Sequence, residues 1–460
     1  MKTGVGAHHQ SLIDIEKQRW EGILKRIILC IQYLGKQNLA LRGTNSKLFD
    51  NNNGNFLQLI EMISQFDPLL SDHVRRVQAK DNIMPHYLGK MIQNEVLSLL
   101  GSNIKKKILL MLKEARYFST ILDTTPDSSH QEQMSIVIRF VVLQSDGGYD
   151  VQEHFLGFCV TTDTTEAGLS SYVLNFLKEN NINYKHMRGQ GYDNGANMKG
   201  RHNGLQKKIL DINSRALYVP CTAHTLNLVV NNAADVSIQT VDFFGIIQEL
   251  YTFFSCSPKR WKVMKDKVSG LTLKPLADTR WESRIEAIKP LRFNLPEILS
   301  GLQKIFDSNG NGEVSFDLKT KHMALSLKNK MESFKFICAI VLWYDILSNV
   351  NIVSKMLQNT KISLVDSTEK LKSLEKILIN FRTDDHFHKL CNSASLVAES
   401  IQLDPDFLPE SRRRRRNQFD YQRGEETLLS SKDSFRINFF LAVLDRTIQA
   451  IRETHVNFNI

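Results

Sequence analysis

The chain has 460 residues, 42% of them apolar and 23% charged, which is the balance of a soluble globular protein with two or three domains and a sizeable core. Its formal net charge of +10 suits a polyanionic partner such as nucleic acid, although the charge is spread over a long chain. Six scattered cysteines with no Cys-x-x-Cys pair argue against a disulfide framework and for reduced thiols.

The N-terminal stretch MKTGVGAHHQ has no apolar core and does not read as a signal peptide. Trp20, Ile23, Leu24, Ile27, Ile28 and Ile31 then recur at helical spacing. Arg42-Gly43-Thr44 and the run 51–55 break the pattern and read as loops. Phe56, Leu57, Leu59, Ile60 and Ile63 predict a second helix, stopped by Asp67-Pro68. Ile92, Val96, Leu99 and Leu100 predict a third, and Ile104, Ile108, Leu109 and Leu112 a fourth.

The character changes at Tyr117. Short apolar or β-branched runs predict strands at 118–124, 134–143, 149–161, 184–192 and 217–220. Helices are predicted at 166–179, at 204–212 and from Cys221 onward. The order is β-β-β-α-β-α-β-α: an antiparallel meander, then strands alternating with helices. It is the element order of a ribonuclease H-like fold. From about Gln239 the chain is helical again, with a long buried pattern through Phe334, Ile337, Ile340, Val341, Leu347, Val350 and Val353. Within it the apolar run 336–344, bounded by Lys335 and Asp345, is too short to span a bilayer. Arg412, Arg413, Arg414 and the two arginines after them form a basic run in a loop, readable as a solvated loop, a nuclear import signal or a DNA-backbone contact. An apolar helix at 435–454 closes the chain. The predicted domains are an N-terminal helical region at 10–115, an α/β core with a mixed five-stranded sheet at 116–235, an all-α insertion at 236–430, and a returning segment at 431–460.

Two acids stand out. Asp123 follows FSTIL, and Asp193 lies inside GQGYDNGANM; each leaves a short apolar segment into a polar turn, a common way to offer carboxylate oxygens to a divalent metal. A lone Asp in such a place more commonly caps a turn or helix. The glycines at 189, 191 and 195 do not fit the dinucleotide or P-loop spacing. Cys221-Thr222-Ala223-His224 lacks a second ligand pair for zinc, and so does His386-x-His388-x-x-Cys391, so no zinc is expected.

The strings LALRGTN, NGNFLQLIEMISQFDP, IQNEVL, ILDTTPDSSHQEQMSIVIRFV, RGQGYDNGANMKG, CTAHTLNLV, FFSCSPKRW and TRWESR occur in this order. Together they closely resemble domesticated hAT-type transposases, in particular the zinc finger MYM-type protein 1-like or TTF-type zinc-finger group. The resemblance runs from about Gln10 to the last residue. It implies a ribonuclease H-like catalytic core interrupted by a large helical insertion, a nuclear location, and DNA strand transfer by three acids with two Mg²⁺ or Mn²⁺ ions. Asp123 and Asp193 would be the first two acids and metal ligands. His224 would sit near the scissile phosphate, and Arg280-Trp281 would contact DNA, the Trp stacking on a flipped base; without the resemblance a buried Trp is the simpler reading. The family's third acid is a Glu in a Glu-Arg-x-Phe-Ser string that does not occur here. The family's dimerisation segment and Cys-rich DNA-reading finger are likewise expected to be missing. The expectation is therefore a transposase-type core with weak nonspecific DNA binding and little or no catalysis. The alternatives are a nuclear protein-interaction module working through the insertion, and a nuclease completed by another acid such as Glu453. Oligomeric state stays open.

Overall fold

A computed structural model of the chain describes residues 5–79, 86–127, 129, 131–163, 165–193, 195–200, 203–277, 281–308, 315–359, 362–408 and 430–458. The chain divides into two compact units, Met1–Arg116 and Tyr117–Ile460.

The first unit is helical: α1 (Val5–Lys36), α2 (Asn55–Ser64), α3 (Pro68–Gln78) and α4 (Lys90–Ala115). Ile23, Ile27, Ile31 and Leu34 of α1 bury against Phe56 and Ile60 of α2 and Leu70 and Val74 of α3. Asp67-Pro68, predicted as a stop, is also a start. The Asp67 carboxylate accepts from the Leu70 backbone N–H at 2.8 Å, and Pro68 takes the first helical position, where no donor is needed. The hydrogen bond from Arg26, at 2.7 Å, holds the Asp67 carboxyl below the usual carboxylate range. The third and fourth predicted helices are one continuous helix, α4. Gly101 between them is exposed and meets nothing. One glycine costs a helix about 1 kcal/mol, too little to break a long one in the absence of proline. Gly43 and Gly54, in the two predicted loops, lie backbone against backbone.

The second unit opens with β1 (Phe118–Pro126), β2 (Glu132–Leu143) and β3 (Tyr149–Thr161), followed by α5 (Glu166–Glu179), β4 (Met187–Tyr192), α6 (Ala196–Lys199), α7 (Leu205–Ile212) and β5 (Leu217–Pro220). The strand order is β3-β2-β1-β4-β5, antiparallel across β3-β2-β1 and parallel across β1-β4-β5. This is the ribonuclease H-like sheet. The first strand runs two residues further than predicted, to Pro126, and the second begins two residues earlier, at Glu132; the start of the fourth is not strand, because Tyr184–His186 form a 3₁₀ turn, tied by the Asn183 side chain to the Lys185 N–H at 3.1 Å. Alternation does the rest. Phe118, Thr120 and Leu122 of β1, and Met134, Ile136, Ile138 and Phe140 of β2, are buried on one face. Leu169, Val173, Phe176 and Leu177 of α5 and Leu205 and Ile209 of α7 are buried with them.

The helical remainder comprises α8 (Thr222–Ala234), α9 (Ile238–Ser255), α10 (Pro258–Lys267), α11 (Trp281–Asp307), α12 (Leu318–Met331), α13 (Phe334–Leu357), α14 (Leu364–Phe381), α15 (Asp384–Ser400), α16 (Ser431–Phe435), a π turn (Arg436–Leu441) and α17 (Ala442–Phe458). One core runs through it from Leu226 to Ile451. The last helix returns to the sheet, packing on α8 and β5. Helix α11 kinks at Asn294 (φ −131°, ψ 31°), between Pro290 and Pro296.

Helix α13 extends well beyond the apolar run 336–344, because Lys335 and Asp345 do not end it. It has 24 residues, and its most apolar 18 have a mean hydropathy of 1.8, long and apolar enough to cross a membrane; 67% of those 18 are buried inside the protein. Burial pushes the Asp345 carboxyl up to about 6, against the opposing pull of Arg292. The native state then holds a proton that the unfolded chain releases nearer pH 4, so stability falls as pH rises from about 4 to about 6. Asp345→Asn is expected to flatten that slope and to raise stability at pH 7 by on the order of 1–2 kcal/mol, allowing for partial solvent screening. Urea titrations at pH 4.5 and 7 read it directly. A variant that keeps the wild-type slope would show that the carboxyl ionises normally.

Candidate active-site cleft

The sheet register sets the site. Ile121 of β1 pairs with Gly191 of β4, so two further residues on each strand bring Asp123 and Asp193 level at the same end of neighbouring parallel strands. Both side chains line one cleft of about 350 Å³, with Leu122, Thr124, Glu132, Leu169, Gly195, Asn197 and Met198. Asp123 is exposed and Asp193 half-buried. Glycine leaves room where β4 passes β1: a Cβ at Gly189 would stand 2.5 Å from Ser119 Oγ and displace that side chain. Strand β4 can then lie close beside β1.

Asp193 is held from both sides of its peptide. The Gly195 N–H donates to Asp193 Oδ1 at 3.1 Å, closing the turn predicted from the glycine- and asparagine-rich string. The Tyr218 hydroxyl donates to the Asp193 carbonyl at 3.0 Å. Burial first, then the charges of Asp193 and Cys221, push the Tyr218 phenol up, so it stays a donor. Beneath it Tyr192 donates to Gln190 Oε1 at 2.7 Å, and Gln190 donates to the Ala216 carbonyl at 2.9 Å. Asp123 is fixed through its backbone: Ser135 Oγ, on the facing residue of β2, donates to its carbonyl at 3.1 Å.

His224 lies on the first turn of α8, half-buried, and is not among the residues lining the cleft. Helix α8 is tied to β4 at its start by the Cys221 N–H donating to the Tyr192 carbonyl at 2.9 Å. Trp281 is the first residue of α11. Arg280, the basic run containing Arg412, Arg413 and Arg414, and Asn194 fall outside the described residues. The rest of the TRWESR string anchors the start of α11. Ser283 Oγ accepts from the Ala277 N–H and donates to its carbonyl, at 3.0 and 2.8 Å. Arg284 is buried, donating to Asn231 Oδ1 at 3.1 Å and lying 4.6 Å from the Phe244 ring centroid. In the other ligand-like string, His386 stacks on Phe381 at 4.0 Å, and the Cys391 thiol meets that of Cys338.

Glu132 is the cleft residue the sequence reading missed. It opens β2, paired with Pro126 of β1. Its place was hidden because the strand was predicted to begin at Met134; only the hairpin register brings it to the acids. The donor set can be compared with what two-metal strand transfer requires. Asp123, Asp193 and Glu132 share the cleft, and the enclosed Thr124 Oγ1 has no hydrogen-bond partner there among the described residues. Yet among the described residues no three His, Cys, Asp or Glu side chains converge closely enough to hold one ion. Asp123, Asp193 and Glu132 are the carboxylates that would hold a divalent cation in this cleft.

Residues 6–204 match the family model DUF4371, described as ZMYM1/FAM200, RNase-like domain. The matched segment spans the helical first unit, the meander, α5 and β4, and includes both Asp123 and Asp193. It supports the ZMYM-like, transposon-derived theme at that coarse level, and an RNase-like domain is what the sheet order displays.

Proposed function

We propose that this chain is a transposase-derived nuclear protein that binds DNA through its backbone and does not by itself carry out strand transfer. The observation that carries the reading is the cleft. Two carboxylates stand level on adjacent strands of a ribonuclease H-like sheet, while a three-ligand cluster is lacking among the described residues. Two-metal catalysis needs both ions fixed so that the attacking and leaving oxygens are stabilised together. Loss of one ligand in such a site misplaces the ions and removes activity by orders of magnitude. The net charge of +10 favours a polyanionic partner, and the RNase-like family match favours nucleic acid among polyanions. No step is assigned to His224, Arg280 or Trp281; DNA contact through the last two is part of the proposal.

The test is plasmid nicking in Mn²⁺ by the purified chain, beside Asp123→Asn and Asp193→Asn. No cleavage by any of the three is expected. Cleavage by the wild type that disappears in both variants would overturn the inactive reading.

A second reading, a protein-interaction module without DNA chemistry, has its own observation. On the sheet face opposite α5, Val141, Leu143, Tyr149, Val151, Phe155, Phe158 and Val160 of β2 and β3 are all exposed. Several large apolar side chains in one patch are unusual on a monomer surface. Salt dependence separates the readings. Phosphate contacts give an affinity that falls steeply with salt, and a protein-binding module shows little DNA affinity at physiological salt.

A further inference from the structure

Helix α10 carries five cations and one acid in ten residues: Lys259, Arg260, Lys262, Lys265 and Lys267 against Asp266. Its inner face is explained by packing. Val263 and Met264 are buried, Trp261 lies edge-on to Tyr251 at 6.3 Å, and Arg260 is drawn inward over the Phe253 ring at 4.6 Å. Its outer face has no such explanation. Lys259, Lys262 and Lys265 are exposed and recur every three residues, so they form one line along the helix.

Ordinary helix electrostatics do not call for this line. Cations are favoured in the last turn of a helix and disfavoured in the first, where the N-terminal dipole is positive. Lys265 and Lys267 satisfy that rule, but Lys259 and Arg260 occupy the first turn, which contains no acid. Like charges three residues apart also repel. The lysines therefore cost the isolated helix stability, which an external polyanion would return.

We infer that α10 is a docking strip for the phosphate backbone of duplex DNA. This rests on the DNA-binding reading above and assigns that binding to a surface outside the cleft. Six residues at 1.5 Å rise place Lys259 and Lys265 about 9 Å apart along the axis. Each strand of a duplex presents one charge per roughly 3.4 Å of its axis, so the line spans two or three phosphates. The exposed face offers no aromatic ring on which an unpaired base could stack, since Trp261 is turned inward, which favours a duplex over a single strand.

The experiment measures affinity of the full chain for a labelled random-sequence duplex across a salt series. The variant is Lys259→Gln/Lys262→Gln/Lys265→Gln. The control is Lys370→Gln/Lys372→Gln/Lys376→Gln, which removes the same charge from exposed positions on α14. Glutamine is a good helix former, and all six sites are exposed, so folding is preserved. The slope of log affinity against log salt should become shallower by about 2–3 in the α10 variant and stay near wild type in the control. A wild-type slope in the α10 variant, or equal loss in both triples, would overturn the assignment to α10 and leave DNA binding standing. A greater loss on single-stranded DNA than on duplex would overturn the duplex. No salt-dependent binding by the wild type would overturn the DNA reading itself.

Discussion

Trp343→Ala is expected to lower the unfolding free energy by about 3–5 kcal/mol, the largest single-site effect foreseen here. Trp343 is fully buried near the middle of α13, the helix around which the large core is assembled. Its ring meets Phe244 of α9 edge-on at 4.9 Å. Truncation would remove most of the ring's contacts and leave a cavity that the surrounding helices can only partly close. The indole adds a second, opposite term. Its enclosed Nε1–H has no hydrogen-bond partner among the described residues, so the wild type already bears the desolvation cost of that donor. Trp343→Phe keeps an aromatic ring and deletes the unpaired donor, and should cost only about 1–2 kcal/mol. Chemical unfolding of the two variants separates volume from polarity. Equal losses would mean that the indole N–H is satisfied and that the side chain is held by more than packing.

Gly54→Ala should destabilise the helical first unit by about 2–3 kcal/mol, a strain-sized effect at a surface loop. Gly54 has φ 89° and ψ 165°, a backbone region essentially restricted to glycine. A Cβ there would also stand 2.2 Å from the Gly43 N atom and 2.4 Å from the Arg42 carbonyl carbon. At Gly43 a Cβ would lie 2.1 Å from the Asn52 carbonyl oxygen. The two glycines thus let the segment after α1 cross the segment before α2 at backbone contact. Because they share that crossing, Gly43→Ala and Gly54→Ala should be less than additive together. Gly101→Ala is the internal control. It sits exposed inside α4 with nothing within 4 Å, and should be neutral or stabilising by up to about 1 kcal/mol. Circular dichroism with thermal unfolding reads all four proteins. A Gly54→Ala variant as stable as wild type would mean that the crossing is loose.

The sheet was legible in the sequence because its strands alternate. Met134, Ile136, Ile138 and Phe140 bury on one side of a run whose other residues are half-buried or exposed, and the predicted bounds of β3 and β5 match the observed ones. Asp193 was marked by the glycine- and asparagine-rich turn that follows β4, whereas Asp123 lies inside β1, three residues short of its end at Pro126. Long-range register was not legible. Nothing local in Glu132 shows that it faces the cleft, and only the hairpin pairing to Pro126 brings it there. Helix joins failed for a different reason. Gly101-Ser102-Asn103 has the composition of a turn, but continuity across α4 outweighs it, whereas Asp67-Pro68 both stops one helix and caps the next. The long buried pattern from Phe334 to Val353 predicts α13 well; the uninterrupted apolar run 336–344 understates its apolar length because Lys335 and Asp345 lie inside the helix. Burial of Asp345, which raises its carboxyl to about 6, is set by packing distant in sequence and leaves no local mark.

In the proposed reading Asp123 and Asp193 share a cleft too poor in ligands for two-metal chemistry. Titration of the full chain with Mn²⁺, followed by electron paramagnetic resonance of the free ion, counts ions and measures their affinity. At most one ion per chain is expected, held with a dissociation constant of about 0.1 mM or weaker and weakened further in both Asp123→Asn and Asp193→Asn. Two ions bound tightly, and both lost in either variant, would contradict it.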